Sequence, residues 1–583
     1  MGSLHSLLYN EIDIINIKND ISRLKPDVIV PIDLPSLWAC EEYGIKYRLP
    51  TSIRDLASER KIFKLATEHV TCAIFDNSLF DLKYWKINPL YAVAHWLVAL
   101  LGNSIIKLKT IEEIASFTDG RVVLVEYRDR VPYVCQYHDF CKSKSTRSIS
   151  KNKIKPIIQA FYNRAYTLIK SLGIKVRLGR LKSTSDELLT LYLSFWNSDN
   201  NRLLKDNANL SLFNMREFTI PSIPIGKRQK VLPEVLKKIS LQFYKEFTLE
   251  VTEHEYVSFL LNAYNRIGDE FEESLAIATL DVDKKYENTV LLTAPSMKMK
   301  YRAACYHAWR SGAFVAFEVY ADSEMVGLFD YDWISYRTAI SSINYYRGVA
   351  AVLDRKNLIR CQLVPKKYHW ETLAIGGDSR VHYQIRGSKS GRRVLFIPTS
   401  FTGNARHGPQ RDAHDIYYWE TQLDVLKTLA ALDTVEVIYK AHPKNFVKMT
   451  PYVRAVLKNI GVEYIDRPIC RALIDTADCV VTDKLGSGIG KVLESNIAIV
   501  LVDRGVDELL PEVIPLAKKR LEILDINRDN WMKTLQEVIE HILSNRVRNE
   551  SYTFSTLLTG AGSNAKNSTL LTDLYHRTLI RKC

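Results

Sequence analysis

The fold class this sequence predicts is α/β with doubly wound parallel sheet, and three observations predict it. Apolar runs of strand length alternate with amphipathic stretches of helix length. Beyond residue 390 the alternation becomes regular, with five strand-like runs each separated by a helical pattern. No internal repeat, low-complexity tract or heptad seam competes with that reading. With 583 residues, 46% of them apolar, the chain can bury at least two cores.

In chain order, "NDISRLKPDVIVPIDLPSLWACEEYGI" reads as helix, short strand (Val28 to Ile32), loop and helix, and "GRVVLVEY" as a further strand. "PLYAVAHWLVALLG", Pro89 to Gly102, is apolar over fourteen residues. A spanning helix needs about twenty, so a buried helix is expected here. Residues 151–275 read as a mostly helical insertion, with "IKPIIQAFYNRAYTLIKSLGI" and "LPEVLKKISLQFYKEFTLEVTEHEYVSFLLNAYNRI" as its amphipathic stretches. Strand patterning resumes with "TVLLTAPS", then a helix closed by Gly312 in the place of a C-cap glycine, then "AFVAFEVY". A connecting helix is expected near Ser341 to Val352, and a domain boundary between residues 365 and 390. The regular series follows: strands in "RVLFIPTSF", "DTVEVIYKAHP", "VEYID", "DCVVTD" and "IAIVLVD", with a helix after each of the first four.

Composition narrows the setting. Nine scattered cysteines without a CxxC pair argue against a disulfide framework and a zinc site, and fit a reducing cytoplasm. The N-terminus lacks the basic head, apolar run and cleavage site of a secretory signal. A net charge of +14 favours an anionic partner, and "CKSKSTRSISKNKIK" (Cys141 to Lys155) is its densest source, a solvated loop or a docking point for anionic lipid.

Ligands of doubly wound sheets bind beyond the carboxyl ends of the strands. Those ends present Thr399, Ser400, Thr402 and Arg406; Lys440 and His442; and Asp483, Lys484 and Ser487. In "VIYKAHPKN", Pro443 turns the chain out of a strand, and the flanking lysines favour a neutral His442 that donates to a phosphate or base carbonyl. In "TDKLGSGIGKVLES", Gly486, Ser487 and Gly488 stand where a helix would begin, an arrangement suited to an anion. Glu494 falls two helical turns beyond Ser487, where a carboxylate could accept the hydroxyls of a ribose. "DYD", Asp330 to Asp332, imitates a metal motif, but no metal is expected.

"YKAHPKN" followed by "ADCVVTDKLGSGIGKVLESNIAIVLVD" resembles the donor-binding domain of GT-B glycosyltransferases, and within them the cytidine-nucleotide group. That group comprises capsule and lipopolysaccharide Kdo transferases, bacterial sialyltransferases with an HP motif, and CDP-glycerol glycerophosphotransferases. The resemblance covers roughly residues 390–510, with weaker support from residues 291–327. It departs from the group at "YADSE", where relatives often carry His-Gly, and at "GSG", where they carry a doubled serine.

The resemblance implies two Rossmann-like domains facing a cleft. The N-terminal one would be built from residues 1–150 and 276–375 around the insertion, and the C-terminal nucleotide-sugar domain from 376–545, with a tail at 546–583. It further implies that His442, Pro443 and Ser487 hold the donor; Gly488, Thr399, Arg406, Lys440 and Glu494 are expected beside them from their places at the strand ends and on the serine-led helix. Asp322, Glu324 and then Asp33 are the carboxylates expected to act on the acceptor side.

The expected activity is cytoplasmic, metal-independent and without a cofactor, with peripheral contact at the inner face of the membrane. It is transfer of a sugar from a nucleotide donor, CMP-linked Kdo or a similar acidic sugar, to a surface polysaccharide or lipid-linked glycan. Nucleic acid is not an expected partner. A CDP-glycerol-type phosphotransferase, a UDP-sugar 2-epimerase and a non-catalytic glycan- or nucleic-acid-binding scaffold stand as alternatives.

Overall fold

The computed structural model describes residues 4–10, 28–31, 34–75, 94–116, 121–126, 189–193, 210–214, 223, 232–281, 283, 286, 289–293, 299–317, 349–352, 371–374, 383–401, 415–442, 449–485, 489–505, 514–549 and 551–555. Strands β1 (Leu4–Asn10), β2 (Val28–Pro31) and β3 (Arg121–Glu126) form a parallel sheet in the order β2-β1-β3. The central strand β1 lies in the N-terminal stretch, where the sequence pattern predicts no strand.

Helix α1 (Leu34–Glu42) follows β2, and a short 3-10 helix, Thr51–Arg54, leads into α2 (Leu56–Phe75). The apolar run near Pro89 continues into α3 (Ala94–Ala115), whose Leu97, Val98, Leu101, Ile105 and Leu108 are buried along one face. Gly102 lets α3 lie against α2: a Cβ there would stand 2.5 Å from two ring atoms of Phe63. Among the described residues no helix is long and apolar enough to cross a membrane.

The stretch 151–275 contains strands as well as helices. β4 (Leu189–Leu193) and β5 (Leu210–Asn214) precede α4 (Leu232–Tyr244) and α5 (Glu253–Ala278). The start of α5 is secured by a capping box, in which the Thr252 hydroxyl accepts from the Glu255 N–H and Glu255 accepts from the Thr252 N–H. β6 (Thr289–Thr293), α6 (Met299–Arg310) and β7 (Phe314–Phe317) follow as expected, and Gly312 closes α6 with φ of +99°.

The four strands make a parallel sheet in the order β5-β4-β6-β7. Among the described strands those of 276–375 and those of 1–150 thus lie in separate sheets, β6 between β4 and β7 and β1 between β2 and β3. A correction concerns Ser341 to Val352, where Val349–Val352 is strand β8, paired in parallel with β9 (Glu371–Ala374). Gly348 and the β-branched Val349 weaken a helix at that point.

The C-terminal unit is one six-stranded parallel sheet. β10 (Arg393–Ile397), β11 (Glu436–Lys440), β12 (Val462–Ile465), β13 (Cys479–Thr482), β14 (Ala498–Asp503) and β15 (Glu522–Asp525) lie in the order β12-β11-β10-β13-β14-β15. Counted from β10 this is 3-2-1-4-5-6, the doubly wound order, with its switch point between β10 and β13. β15 is a sixth strand beyond the five read in the sequence. As an edge strand it has no need of the two-sided apolar run that marks the four central strands.

Both faces of this sheet are covered. On one, Val394, Phe396, Val437, Tyr439, Val481 and Val500 pack under α7 (Asp415–Ala430), α8 (Pro451–Asn459) and α12 (Trp531–Ser544). On the other, Leu395, Ile397, Ile438, Val480, Ile499 and Leu501 meet α9 (Arg471–Ile474), α10 (Gly490–Leu493) and α11 (Ile514–Lys518). Alternate residues of a single strand thus serve different cores.

Below the amino ends, the Asp478 carboxylate accepts from the Arg393 N–H and the Ser388 hydroxyl, and Arg548 donates to its backbone oxygen. The fully buried Arg520 donates to the Ile497 and Ser495 carbonyls and to the Ser555 hydroxyl, tying residues 551–555 to the sheet. Burial lowers the Arg520 pKa to about 10.

Candidate functional site

At the switch point the carboxyl ends of β10, β13 and β14 meet α7 in a buried polar network. Thr399, two residues past β10, donates to Asp483 Oδ1 from its backbone N–H at 2.6 Å and from its hydroxyl at 2.9 Å. Asp483 directly follows β13. Gln422 on α7 donates from Nε2 to the Thr399 carbonyl at 3.1 Å and to Asp483 Oδ2 at 3.2 Å, and its Oε1 accepts from the Tyr439 hydroxyl at 2.9 Å.

Arg504, the first residue after β14, donates from Nη2 to the Thr399 hydroxyl at 3.2 Å and to the Asp483 carbonyl at 3.3 Å, and pairs with Asp483 Oδ2 at 3.3 Å. The side chains of Arg504 and Asp483 are 1% and 0% exposed. Burial, and then the Asp483 charge, push the Tyr439 phenol well above its ordinary pKa, so it remains a donor. Arg504 also stacks on Tyr418, its Cζ 3.9 Å from the ring centre.

The next strand end carries a second buried cation. Lys440 closes β11, is 3% exposed, and donates from Nζ to the Ala441 carbonyl at 2.5 Å. Burial lowers its pKa, against the opposing pull of Asp466. The Ala441 N–H donates to the Ile465 carbonyl at 2.8 Å, so pairing with β12 persists to the residue before His442. His442 is half-buried beyond the strand end.

Thr399, Lys440 and His442 thus stand at the carboxyl edge, as their place in the sequence predicts. Glu494 lies where the chain approaches β14. Among the described residues the helix before it is the single turn Gly490–Leu493, with Glu494 as its C-cap, and Ser487, from which the expected two turns are counted, lies outside them. The Ser495 N–H and hydroxyl both fold back onto the Val492 carbonyl and stop the helix there. The Glu494 carbonyl accepts from the N–H of Tyr383, in the segment leading toward β10, as the chain approaches the amino end of β14. Burial, followed by the Glu494 charge, raises the Tyr383 phenol to about 12. Asp33, Asp322, Glu324, Arg406, Pro443, Ser487 and Gly488 lie outside the described residues.

Gln422, Tyr439 and Arg504 belong to the network although sequence reasoning did not single them out. Arg504 had a signal, since it follows "IAIVLVD" as directly as Asp483 follows "DCVVT". Gln422 had none, being one polar residue on an amphipathic helix. Among the described residues no group of three or more His, Cys, Asp or Glu side chains could hold a metal ion.

The N-terminal unit reaches this edge through α1. Trp38, seven residues past the end of β2, packs edge-on against Phe401, four residues past the end of β10, with ring centres 6.0 Å apart, and against Trp419 of α7 at 5.4 Å. Arg54 adds a two-pronged ion pair to Glu420, at 3.0 Å from Nε and 2.5 Å from Nη2. Helix α1 is thereby held against α7 and against Phe401 beyond the carboxyl end of β10.

Fold and site together define a doubly wound α/β domain with a polar cluster at its switch point, against which a helix of the N-terminal unit packs. No protein-family model matches the sequence, and no curated protein matches it. Among solved structures the chain is similar to TarM, with a TM-score of 0.31 and 10% identity over 52% of this chain and 57% of that one. It is similar also to CalG4, the calicheamicin glycosyltransferase, with a TM-score of 0.32 and 15% identity over 68% of this chain and 91% of that one. MurG of Acinetobacter baumannii gives 0.27 and 11%, over 66% and 88%. The chain spans less than two thirds of the length of TarM.

Proposed function

We propose that this protein is a GT-B glycosyltransferase that binds a nucleotide-sugar donor at the carboxyl edge of its C-terminal sheet and transfers the sugar to a glycan or lipid-linked glycan. The observation that carries the proposal is the buried switch-point network at the carboxyl edge of the doubly wound sheet, with α1 of the N-terminal unit packed against Phe401 and Trp419 through Trp38. Ligands of such sheets bind at that edge, so a donor there would lie near the N-terminal unit. The donor is read as CMP-linked, Kdo or a similar acidic sugar, on the HP element at His442 and Pro443.

In this reading the breaking bond joins the sugar anomeric carbon to a phosphate oxygen. Lys440 and His442, with Arg406 and Ser487, counter the charge gathering on the leaving phosphate. A carboxylate of the N-terminal half, Asp322, Glu324 or Asp33, takes the acceptor hydroxyl proton as that oxygen bonds to carbon. Of the three, Asp33 is the residue immediately before Leu34, where the helix that meets the C-terminal unit begins.

Calorimetric titration of the full chain with CMP, CDP and UDP tests the reading. Binding of CMP, weakened about tenfold or more in His442→Ala, is the expected result for a lost contact to phosphate. Absence of nucleotide binding by the unaltered protein, or equal binding by the variant, removes the proposed site.

A further inference from the structure

Arg504 holds a demand that the described residues do not meet. A guanidinium carries five N–H bonds. Nη2 is committed to Thr399 and Asp483, whereas Nε and Nη1 are buried and have no hydrogen-bond partner among the described residues. Three N–H bonds of one cation are therefore unused in a side chain that is 1% exposed. Native interiors leave few such groups unpaired, and each calls for an explanation.

Position adds a second argument. Arg504 leaves β14 at the same edge where Asp483 leaves β13 and Thr399 leaves β10, so the unused donors stand at the switch point. The guanidinium is also fixed in place. Tyr418 covers one face, and Nη2 is held by the Thr399 hydroxyl beyond β10 and by both the carbonyl and the carboxylate of Asp483 beyond β13. Asp483 offsets its charge, which leaves the buried Lys440 ammonium as a further positive group along the same edge. A fixed, water-excluded set of N–H donors with net positive surroundings suits an acceptor-only anion, and phosphate oxygens match arginine best.

We propose that Arg504 is a binding residue for a phosphate of the donor, whose oxygens accept from Nε and Nη1. The assignment rests on the nucleotide-donor reading above and adds to it a residue that the HP element does not include. Asp483, Thr399 and Gln422 act as positioning residues that hold the guanidinium.

The test compares cytidine, CMP and inorganic pyrophosphate by calorimetry on the full chain and on Arg504→Lys, which keeps the charge and loses the planar fork. CMP and pyrophosphate are expected to weaken about tenfold or more while cytidine changes less than about twofold. Should the lysine variant lose its cooperative thermal transition, Arg504→Gln, which keeps a donor for Thr399, provides the same comparison. CMP bound equally by the protein and a folded variant overturns the Arg504 assignment and leaves the nucleotide reading standing, pointing to a structural water on the free donors. Equal weakening of cytidine and CMP also overturns it, since the effect is then not on phosphate. No binding of any probe by the unaltered protein overturns both.

Discussion

Asp483→Asn isolates the electrostatic core of the site, because the change keeps side-chain shape and removes one charge. The carboxylate accepts from the Thr399 N–H and hydroxyl and from Gln422, and pairs with Arg504. An amide presents one oxygen and an NH2 group, so its nitrogen faces donors on one side, and the buried Arg504 cation loses its counter-charge. Removing one partner of a buried ion pair costs about 3–5 kcal/mol. At roughly 2–4 °C per kcal/mol for a domain of this size, the transition of the C-terminal unit should fall by roughly 6–20 °C. Thermal unfolding followed by tryptophan fluorescence reads it, because Trp419 lies on α7 in the core beside the network. The double variant Asp483→Asn with Arg504→Met removes both charges and should recover part of the loss, giving a coupling of about 1–3 kcal/mol. A fall below about 2 °C for the single variant, or simple additivity in the double, would refute the account of the network as a coupled buried pair.

Two further predictions follow from the same physics. Lys440→Met should raise the stability of the C-terminal unit at pH 7 while weakening nucleotide binding, since burial depresses the lysine pKa and the folded state bears the cost of the charged form. The sign is set by the unfolded chain holding its proton to higher pH, so the cost shrinks as pH rises toward 10.5 and the variant's advantage should vanish there; a pH series of melting temperatures checks it. Trp38→Ala should cost about 3–5 kcal/mol and loosen the contact between the two units, which limited proteolysis of the 43–50 segment would register as faster cleavage; unchanged stability would show that the contact with Phe401 and Trp419 carries no weight.

What could be read without coordinates follows from what each feature asks of the chain. The four central strands of the C-terminal sheet, β11, β10, β13 and β14, are buried on both faces, so their residues must be apolar almost throughout, and they were legible as runs; the edge strand β12 was legible from its place in the alternation. β15 was not, because an edge strand such as Glu522–Asp525 carries no such requirement. β1 and the pair β4 and β5 were missed for a related reason. Each is a strand only because a partner strand accepts its backbone hydrogen bonds, and the partners lie far away in sequence.

By itself the sequence determined the doubly wound character of the C-terminal half and the strand ends where Thr399, Lys440 and His442 stand. These depend on local patterning and on a rule that holds for every sheet of this class. Only the tertiary structure decided that Asp483, Gln422, Tyr439 and Arg504 form one network, that Glu494 turns toward Tyr383, and that α1 of the N-terminal half packs into the C-terminal core. Such contacts join residues dozens to hundreds of positions apart, and their partners are selected by packing and by the demand that each buried polar group find its complement, which no local pattern records.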